Sequence, residues 1–228
     1  MLTLHHLEYS QSFRVLWLLE ELGYEYELKL YQRDKETHQA PLEYKELSPL
    51  GTAPVITDGE LTLAESSAIT DYILDKVNEQ QLRPGADSPD RARYLFWLHT
   101  AQGSMMPLLL MEAVFNILIS RAPFWMRPIV SSALNQASSR MILPRMNKLL
   151  ALAEKDLADK PWFGGEQLSA ADIVISYPME SALERHFITN EHPNCQAWLE
   201  RIKQCPSYLS AREKDGKDSV VLSVGQVG

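Results

Sequence analysis

Cysteine is scarce in this chain: only Cys195 and Cys205 occur among 228 residues. Neither lies in a Cys/His cluster with the spacing of a metal site, and two cysteines cannot form a disulfide framework of the kind that staples small secreted domains. So few thiols in a chain of this length are typical of a reducing compartment. We therefore expect a cytoplasmic protein without a bound metal.

Long apolar runs and clustered positive charges are also missing. No run of eighteen or more consecutive apolar residues occurs, so we expect no membrane span. The first residues lack the basic segment and apolar run of a signal peptide. Residues 1–80 carry six Lys/Arg against fifteen Asp/Glu in a chain of net charge −8. Without a basic stripe, a nucleic-acid partner is not expected.

The hydrophobic content is 45%, which is enough for one large core or two small ones. The charge balance changes near residue 80, because residues 81–228 carry sixteen Lys/Arg and fifteen Asp/Glu. Two prolines and a glycine follow within residues 81–90. We therefore expect a first domain over residues 1–80, a linker over 81–90 and a second domain over 91–228.

The first 80 residues alternate between strand and helix patterns. Leu2–Leu4 and residues 24–30 have the period of two typical of strands, and residues 13–22 between them have helical spacing. Asp58-Gly59 between two short apolar runs predicts a hairpin, and a helix follows over 66–77. A strand–helix–strand unit sets its strands parallel, so this order predicts a mixed four-stranded sheet covered by helices.

Beyond residue 90 the pattern is helical throughout. Helices are predicted over residues 91–120, 129–159, a stretch after Ser169, and 193–204. The second domain is therefore expected to be an all-α bundle. Residues 211–228 are polar, and we expect this tail to be mobile or draped on the surface.

The segment Ser10-Gln11-Ser12-Phe13-Arg14 lies at the first strand-to-helix turn. A helix N-terminus offers free N–H groups and a partial positive charge, which stabilise an anion such as a thiolate. A serine hydroxyl there can add a hydrogen bond. The simpler alternative is that Ser10 or Ser12 is only a helix cap.

Two further turns carry polar or special residues. Pro54 begins the hairpin, and a cis bond there would leave the backbone of Val55 free to pair with a peptide laid along the sheet edge. Glu65 and Ser66 open the next helix and could hold the ammonium and carboxylate of an amino-acid head group. An ordinary trans proline and a second helix cap are the structural alternatives.

Ser169 and Asp172 have capping-box spacing, flanked by Leu168 and Ile173 at the positions of a hydrophobic staple. We interpret this motif as a folding device rather than a site.

Together these motifs resemble the cytosolic glutathione transferase family from Leu2 to about Lys214. The segments that carry the resemblance are residues 17–23, 49–55, 64–69 and 168–173. The resemblance implies a thioredoxin-like α/β N-terminal domain and an all-α C-terminal bundle, usually assembled as a homodimer. It also implies glutathione as co-substrate.

Several residue roles follow from this resemblance alone. It implies that Pro54 is cis, that the backbone of Val55 pairs with the cysteinyl unit of glutathione, and that Glu65 and Ser66 hold the γ-glutamyl group. Thr52 occupies a glutathione-contacting position where many members have a lysine that meets the glycyl carboxylate. Another cation would have to replace that lysine, and the candidates are Arg33, Lys35, His38 and Lys45.

Ser10 is the predicted catalytic residue, because the resemblance is to serine-type classes in which a hydroxyl four residues before an arginine activates the thiol. Tyr9 and Ser12 are alternatives. No cysteine lies near this turn, which argues against a cysteine-type class and against disulfide exchange. The region from Leu7 to Glu21 most resembles a serine-type subgroup of fungi and bacteria.

The expected function is therefore a transferase that activates glutathione for attack on a small, hydrophobic electrophile. We place the electrophile site between the domains, on the first long helix. The alternatives are a glutathione-dependent peroxidase and a non-catalytic glutathione-binding or interaction module.

Overall fold

The computed structural model describes residues 1–77 and 82–221. The expected domain boundary at residue 80 lies outside the described residues. The first part of the chain contains β1 (Leu2–Leu7), α1 (Ser12–Glu21), β2 (Tyr26–Tyr31), α2 (Leu42–Lys45), β3 (Val55–Asp58), β4 (Leu61–Ala64) and α3 (Ser66–Val77). This order confirms the predicted succession of elements.

The four strands form one sheet in the order β2-β1-β3-β4. β1 and β2 are parallel, whereas β1–β3 and β3–β4 are antiparallel, so the predicted mixed sheet is confirmed. Asp58 pairs with Leu61, and Gly59 between them has φ +61°, the left-handed conformation that a tight hairpin requires. Leu30 is 57% exposed, so the buried face expected for β2 stops before the end of this edge strand.

The rest of the described chain is helical. It comprises α4 (Arg91–Thr100), a π-helical segment (Ala101–Met105), α5 (Met106–Arg121), α6 (Arg127–Met141), α7 (Leu143–Asp159), α8 (Ala170–Glu184), α9 (Pro193–Ile202) and α10 (Pro206–Asp215). The single helix expected over residues 129–159 is wrong. It breaks at Ile142, because Pro144 stands in the first turn of α7, where proline starts a helix rather than continues one.

One core joins the sheet to the helices. Leu4 of β1 and Trp17 of α1 belong to the same buried cluster as Trp97 of α4 and Ile173 of α8. A small second cluster on the opposite face of the sheet contains Leu7, Val55 and Tyr44 of α2. Helices therefore cover both faces, as expected for a sheet whose strands are apolar on each side.

The capping box before α8 is confirmed. The Ser169 N–H and hydroxyl both donate to Asp172 Oδ2, at 3.0 and 2.8 Å. Asp172 also accepts hydrogen bonds from Phe163 N and from Trp198 Nε1, at 2.7 and 3.0 Å. Its carboxylate therefore holds the start of α8 to the loop before it and to α9.

The expectation of a polar surface tail is wrong for the described part of residues 211–228. Residues up to Asp215 are helical in α10, and Val220 and Val221 are buried in the main core. α10 packs on α1, where Ser207 Oγ accepts a 2.9 Å hydrogen bond from Trp17 Nε1. The segment after α9 thus completes the cover of the sheet. Residues 222–228 lie outside the described residues.

Within residues 1–77 and 82–221, one continuous helix, Arg91–Arg121, is long and apolar enough to cross a membrane by length and composition. A search for consecutive apolar residues does not find this helix, because polar residues are scattered along its sequence. It contributes Trp97, Met105 and Leu109 to the buried core.

Candidate active site

The sheet brings three of the predicted segments to one end. Because β1 and β4 both run antiparallel to β3, the carboxyl ends of β1 and β4 lie beside the amino end of β3. Ser10 follows β1, Pro54 precedes β3 and Ser66 follows β4. The turns chosen from sequence are therefore neighbours in space.

The Ser10 hydroxyl is almost buried at the N-terminus of α1. It donates to Leu7 O at 2.7 Å and accepts the Ser12 N–H at 3.2 Å, so Ser10 satisfies the first N–H of α1, although Gln11 holds the N-cap position. The bond from Ser12 uses the Ser10 oxygen as acceptor, so the hydroxyl proton remains a donor that a ligand can compete for with Leu7 O. The capping and catalytic interpretations of Ser10 are therefore compatible.

Ser12 is fully buried and committed to internal hydrogen bonds. Its hydroxyl oxygen lies 2.8 Å from both Ser10 Oγ and His6 Nδ1, and it accepts the Leu7 N–H at 3.1 Å. Tyr9 has φ +50°, and its ring lies 5.8 Å from Lys217 Nζ. Of the three hydroxyl candidates, Ser10 is the one placed between the buried network and the helix end, and its proton is bonded to Leu7 O.

A buried chain of side chains continues from Ser12 away from the sheet end. His6 Nε2 lies 2.8 Å from Asp215 Oδ1, and both side chains are 2% exposed. Sequence analysis missed both residues. His6 at the end of a strand was a weak signal, whereas Asp215 is 209 positions away and gave none.

Arg14 is buried one helical turn after Ser10. Its guanidinium donates to Val174 O at 2.8 Å and to the side-chain oxygens of Gln11 and Gln102. Burial lowers the pKa of Arg14 to about 10, so it stays cationic at neutral pH. Arg14 therefore joins α1 to α8 and to the π-helical segment, and adds positive charge near the N-terminus of α1.

Glu65 and Ser66 lie at the turn into α3. Glu65 has φ +75°, a strained conformation for a residue other than glycine, and such strain is concentrated at functional sites. Ser66 Oγ is buried and has no hydrogen-bond partner among residues 1–77 and 82–221. A buried hydroxyl without a partner at a helix N-terminus is suited to bind an anionic group.

The Ala53–Pro54 bond is cis, as the sequence resemblance implied. The placement of Val55 at a sheet edge is wrong, because β3 is internal and Val55 pairs with His5 on one side and with Ala64 on the other. The backbone of Val55 therefore lies between β1 and β4 and is not open to a ligand along a sheet edge. Ala53, which is half-buried and precedes the strand, has no such register partner in the described sheet.

The four candidate cations differ in how they are bonded. Arg33 donates to the carbonyl oxygens of Glu8, Tyr9 and His38, and burial lowers its pKa. Lys45 Nζ donates to Gln39 Oε1 at 2.8 Å. A cavity of about 220 Å³ beside Tyr9 is lined by Arg33, Lys35, His38 and Lys217. Exposed Thr52 lies two residues before the cis proline.

The region expected for the electrophile is mostly core. Trp97, Met105 and Leu109 are buried, so their spacing reflects packing. Gln102 contacts Arg14 at 3.3 Å, and half-buried Met106 follows it by about one helical turn. This side of the helix therefore borders the N-terminus of α1.

Family models match both parts of the chain. The model described as "Glutathione S-transferase, N-terminal domain" matches residues 1–75, and "Glutathione S-transferase, C-terminal domain" matches residues 111–206. The chain belongs to the glutathione S-transferase family. The buried serine at the α1 N-terminus and the cis proline are thus parts of a glutathione S-transferase fold.

Relatives of the same family cover nearly the whole chain. Glutathione S-transferase 3 of Schizosaccharomyces pombe is 30% identical over 97% of this chain and 91% of its own length. Glutathione S-transferase 1 of Saccharomyces cerevisiae is 29% identical over 94% and 95%. The crystal structure of a glutathione S-transferase from Actinobacillus pleuropneumoniae is 33% identical, with a TM-score of 0.76 over 99% and 96%.

Proposed function

We propose that this protein is a serine-type glutathione transferase of the subgroup found in fungi and bacteria, and that the Ser10 hydroxyl stabilises the glutathione thiolate for attack on a small, hydrophobic electrophile. The observation that carries the proposal is Ser10 itself: a nearly buried hydroxyl at the N-terminus of α1, with its proton free to move from Leu7 O to a ligand.

The energetics are sufficient without a metal. A free thiol has a pKa of about 8.5, and lowering it by about two units requires roughly 2.7 kcal/mol. A hydrogen bond to a charged group contributes about 1.5–3 kcal/mol. The helix N-terminus adds on the order of 1 kcal/mol. The thiol proton leaves to solvent, and the thiolate then forms the carbon–sulfur bond, either displacing halide from an aromatic halide or opening an epoxide whose oxygen takes a proton from solvent.

We assign the γ-glutamyl group of glutathione to the turn before α3. Glu65 meets its ammonium group, while the unpartnered Ser66 hydroxyl and the first N–H groups of α3 meet its carboxylate. The cysteinyl backbone pairs at the cis-proline turn. Since both sides of Val55 face strands, Ala53 supplies these hydrogen bonds in place of Val55, with Thr52 beside it.

Lys35 is our choice for the glycyl carboxylate. Arg33 is held by three backbone carbonyls and Lys45 by Gln39, whereas exposed Lys35 borders the 220 Å³ cavity next to Tyr9. His38 lies in the same cavity and is the second choice.

The apolar character of the electrophile follows from the helix that faces Arg14. Met106 and then Leu110 follow Gln102 along this helix, and Leu110 is 62% exposed. An unbranched methionine adapts to ligands of different shape.

We further propose two domains joined near residue 80, a homodimer and a cytoplasmic location, in keeping with the family. Light scattering of the purified chain tests the dimer.

The decisive experiment compares wild type with Ser10→Ala in glutathione conjugation to aromatic halides, epoxides and peroxides. We expect Ser10→Ala to move the pH–rate profile to higher pH by about one to two units while glutathione binding is kept. Tyr9→Phe is the matched control and should leave the profile in place. An unchanged profile in Ser10→Ala refutes the role of Ser10. Glutathione binding without turnover in wild type would favour a binding module, and turnover of peroxides alone a peroxidase.

A further inference from the structure

The connection between α5 and α6 exposes aromatic and aliphatic side chains. Phe124 is 85% exposed, Trp125 66% and Ile129 70%, and Leu118 in the last turn of α5 is 50% exposed. Every residue from Pro123 to Ile129 is exposed. We call residues 118–129 the hairpin tip. Large apolar side chains this exposed, and this close together, mark an interaction surface.

The charge around the hairpin tip is opposite to that of the whole protein. No Asp or Glu occurs between Glu112 and Glu154, although the chain as a whole has a net charge of −8. Five cations lie in that interval: Arg121, Arg127, Arg140, Arg145 and Lys148. Arg121 and Arg127 directly flank the aromatic pair. The partner of this surface is therefore expected to be both apolar and negatively charged.

We propose that the hairpin tip docks the protein peripherally onto an anionic lipid bilayer. Tryptophan and phenylalanine partition to the boundary between headgroups and acyl chains, where an aromatic ring meets both environments. Arginines beside them meet lipid phosphates, since guanidinium binds phosphate in a bidentate manner. An acid-free basic segment around exposed aromatics combines the two attractions that hold proteins at membrane surfaces.

Two hairpin tips from two copies of this chain fit each other less well. In an isologous contact of the tips, residue i of one copy meets residue j of the other, and the segment between Glu112 and Glu154 has no Asp or Glu to compensate Arg121 and Arg127. Part of the Arg91–Arg121 helix is held in the protein core, so the proposal is a surface attachment and does not use this helix as a span.

The tryptophans allow a direct measurement. Trp17, Trp97 and Trp198 are buried and Trp162 is half-buried, so Trp125 is the exposed member of the five. We expect vesicles of phosphatidylcholine and phosphatidylglycerol to shift the emission of the full-length protein to shorter wavelength and to sediment it, whereas pure phosphatidylcholine vesicles do neither. Trp125→Phe should lose the shift and keep the sedimentation.

Two double variants test the proposal, with enzymatic activity as a check on folding. Phe124→Ser/Trp125→Ser and Arg121→Gln/Arg127→Gln should each weaken sedimentation with anionic vesicles by about 10-fold or more. Leu209→Ser, at a 54% exposed leucine of α10, is the matched control and should bind like wild type. The proposal is overturned if wild type ignores anionic vesicles or if both double variants bind normally. It is also overturned if a double variant dissociates an oligomer, which would assign the surface to a second copy.

Discussion

The Ser12 hydroxyl has one proton and several acceptors within reach, and the neighbouring residues decide where this proton goes. Asp215 accepts from His6 Nε2, so the hydrogen of a neutral His6 sits on Nε2 and Nδ1 becomes an acceptor. Ser12 then donates to His6 Nδ1 and offers only lone pairs to Ser10. Ser10 is therefore the donor of the Ser10–Ser12 pair, and its proton has Ser12 Oγ, Leu7 O or a bound thiolate as acceptors.

Asp215 is therefore a positioning residue for Ser10, and Asp215→Leu should disturb catalysis without touching glutathione. We expect kcat to fall by about 3–10-fold and the pH–rate profile to move toward that of Ser10→Ala, with KM for glutathione unchanged. Asp215→Asn retains an acceptor oxygen for His6 and should rescue most of the activity. If Asp215→Leu lowers the thermal stability but leaves the pH–rate profile unchanged, the hydrogen bonds from Asp215 to Ser12 stabilise the fold and do not act on catalysis.

Lys35→Gln tests the assignment of the glycyl carboxylate. An exposed cation–carboxylate contact contributes up to about 1 kcal/mol, so KM for glutathione should rise by about 3–5-fold while kcat stays constant. Lys45→Gln removes the same charge at a lysine already bonded to Gln39, and its KM should stay near the wild-type value. Steady-state kinetics with varied glutathione measure both. Equal KM increases in the two variants would contradict the assignment.

Among the elements, those set by local pattern could be predicted from the sequence. The hairpin turn at Gly59 and the capping box at Ser169 are determined by residues within a few positions of one another. The break at Ile142 had a local signal in Pro144 that a purely periodic interpretation overlooked. The π-helical segment and the internal position of β3 depend on packing between distant segments, so no local pattern indicated either feature.

The same division applies to the site. Ser10 and Ser66 stand at helix starts that local sequence marks, and the structure brings their turns to one end of the sheet. Asp215 reaches His6 only because α10 packs on α1, a contact that no pattern within residues 1–80 contains. Residues that act through a tertiary contact were therefore invisible to sequence reasoning.

At the contact of α8 with α10, Glu180 provides a pH dependence of stability. Burial raises the pKa of Glu180 to about 7, and the Tyr208 hydroxyl lies 3.2 Å from both carboxylate oxygens. The unfolded chain ionises this group near pH 4.3, so folding loses stability as pH rises from there toward 7. The loss amounts to about 3–4 kcal/mol. Glu180→Gln should be more stable than wild type at pH 8 by about this amount.

The measurement for Glu180→Gln is urea denaturation at pH 4.5 and at pH 8. At the lower pH both proteins carry a neutral group at this position, and their free energies of unfolding should agree within about 0.5 kcal/mol. A constant difference between the two proteins at both pH values would show that the effect comes from packing and not from ionisation.

For the whole molecule, the C-terminal segment is part of the N-terminal fold. Lys217 Nζ lies 2.5 Å from Glu8 Oε2, and Lys214 Nζ lies 2.5 Å from Glu20 Oε1. The last described residues before position 222, Val220 and Val221, enter the core shared by sheet and helices. The end of the helical part thus lies beside β1 and α1. The two parts are joined there as well as by the covalent connection between them.

A chain shortened to end at Lys217 differs from one that ends at Val221 only in lacking residues 218–221. The shorter chain should be less stable, because Val220 and Val221 are buried in the core. Both chains retain Asp215 and the Lys217–Glu8 ion pair. Burial of two valines contributes about 3 kcal/mol, which for a protein of this size lowers Tm by about 6–12 °C. Calorimetry measures the difference, and the pH–rate profiles of the two chains should coincide, because the path from Asp215 to Ser10 is intact. Equal Tm values would place Val220 and Val221 outside the core, and a shifted profile would show that the Ser10 network extends beyond Asp215.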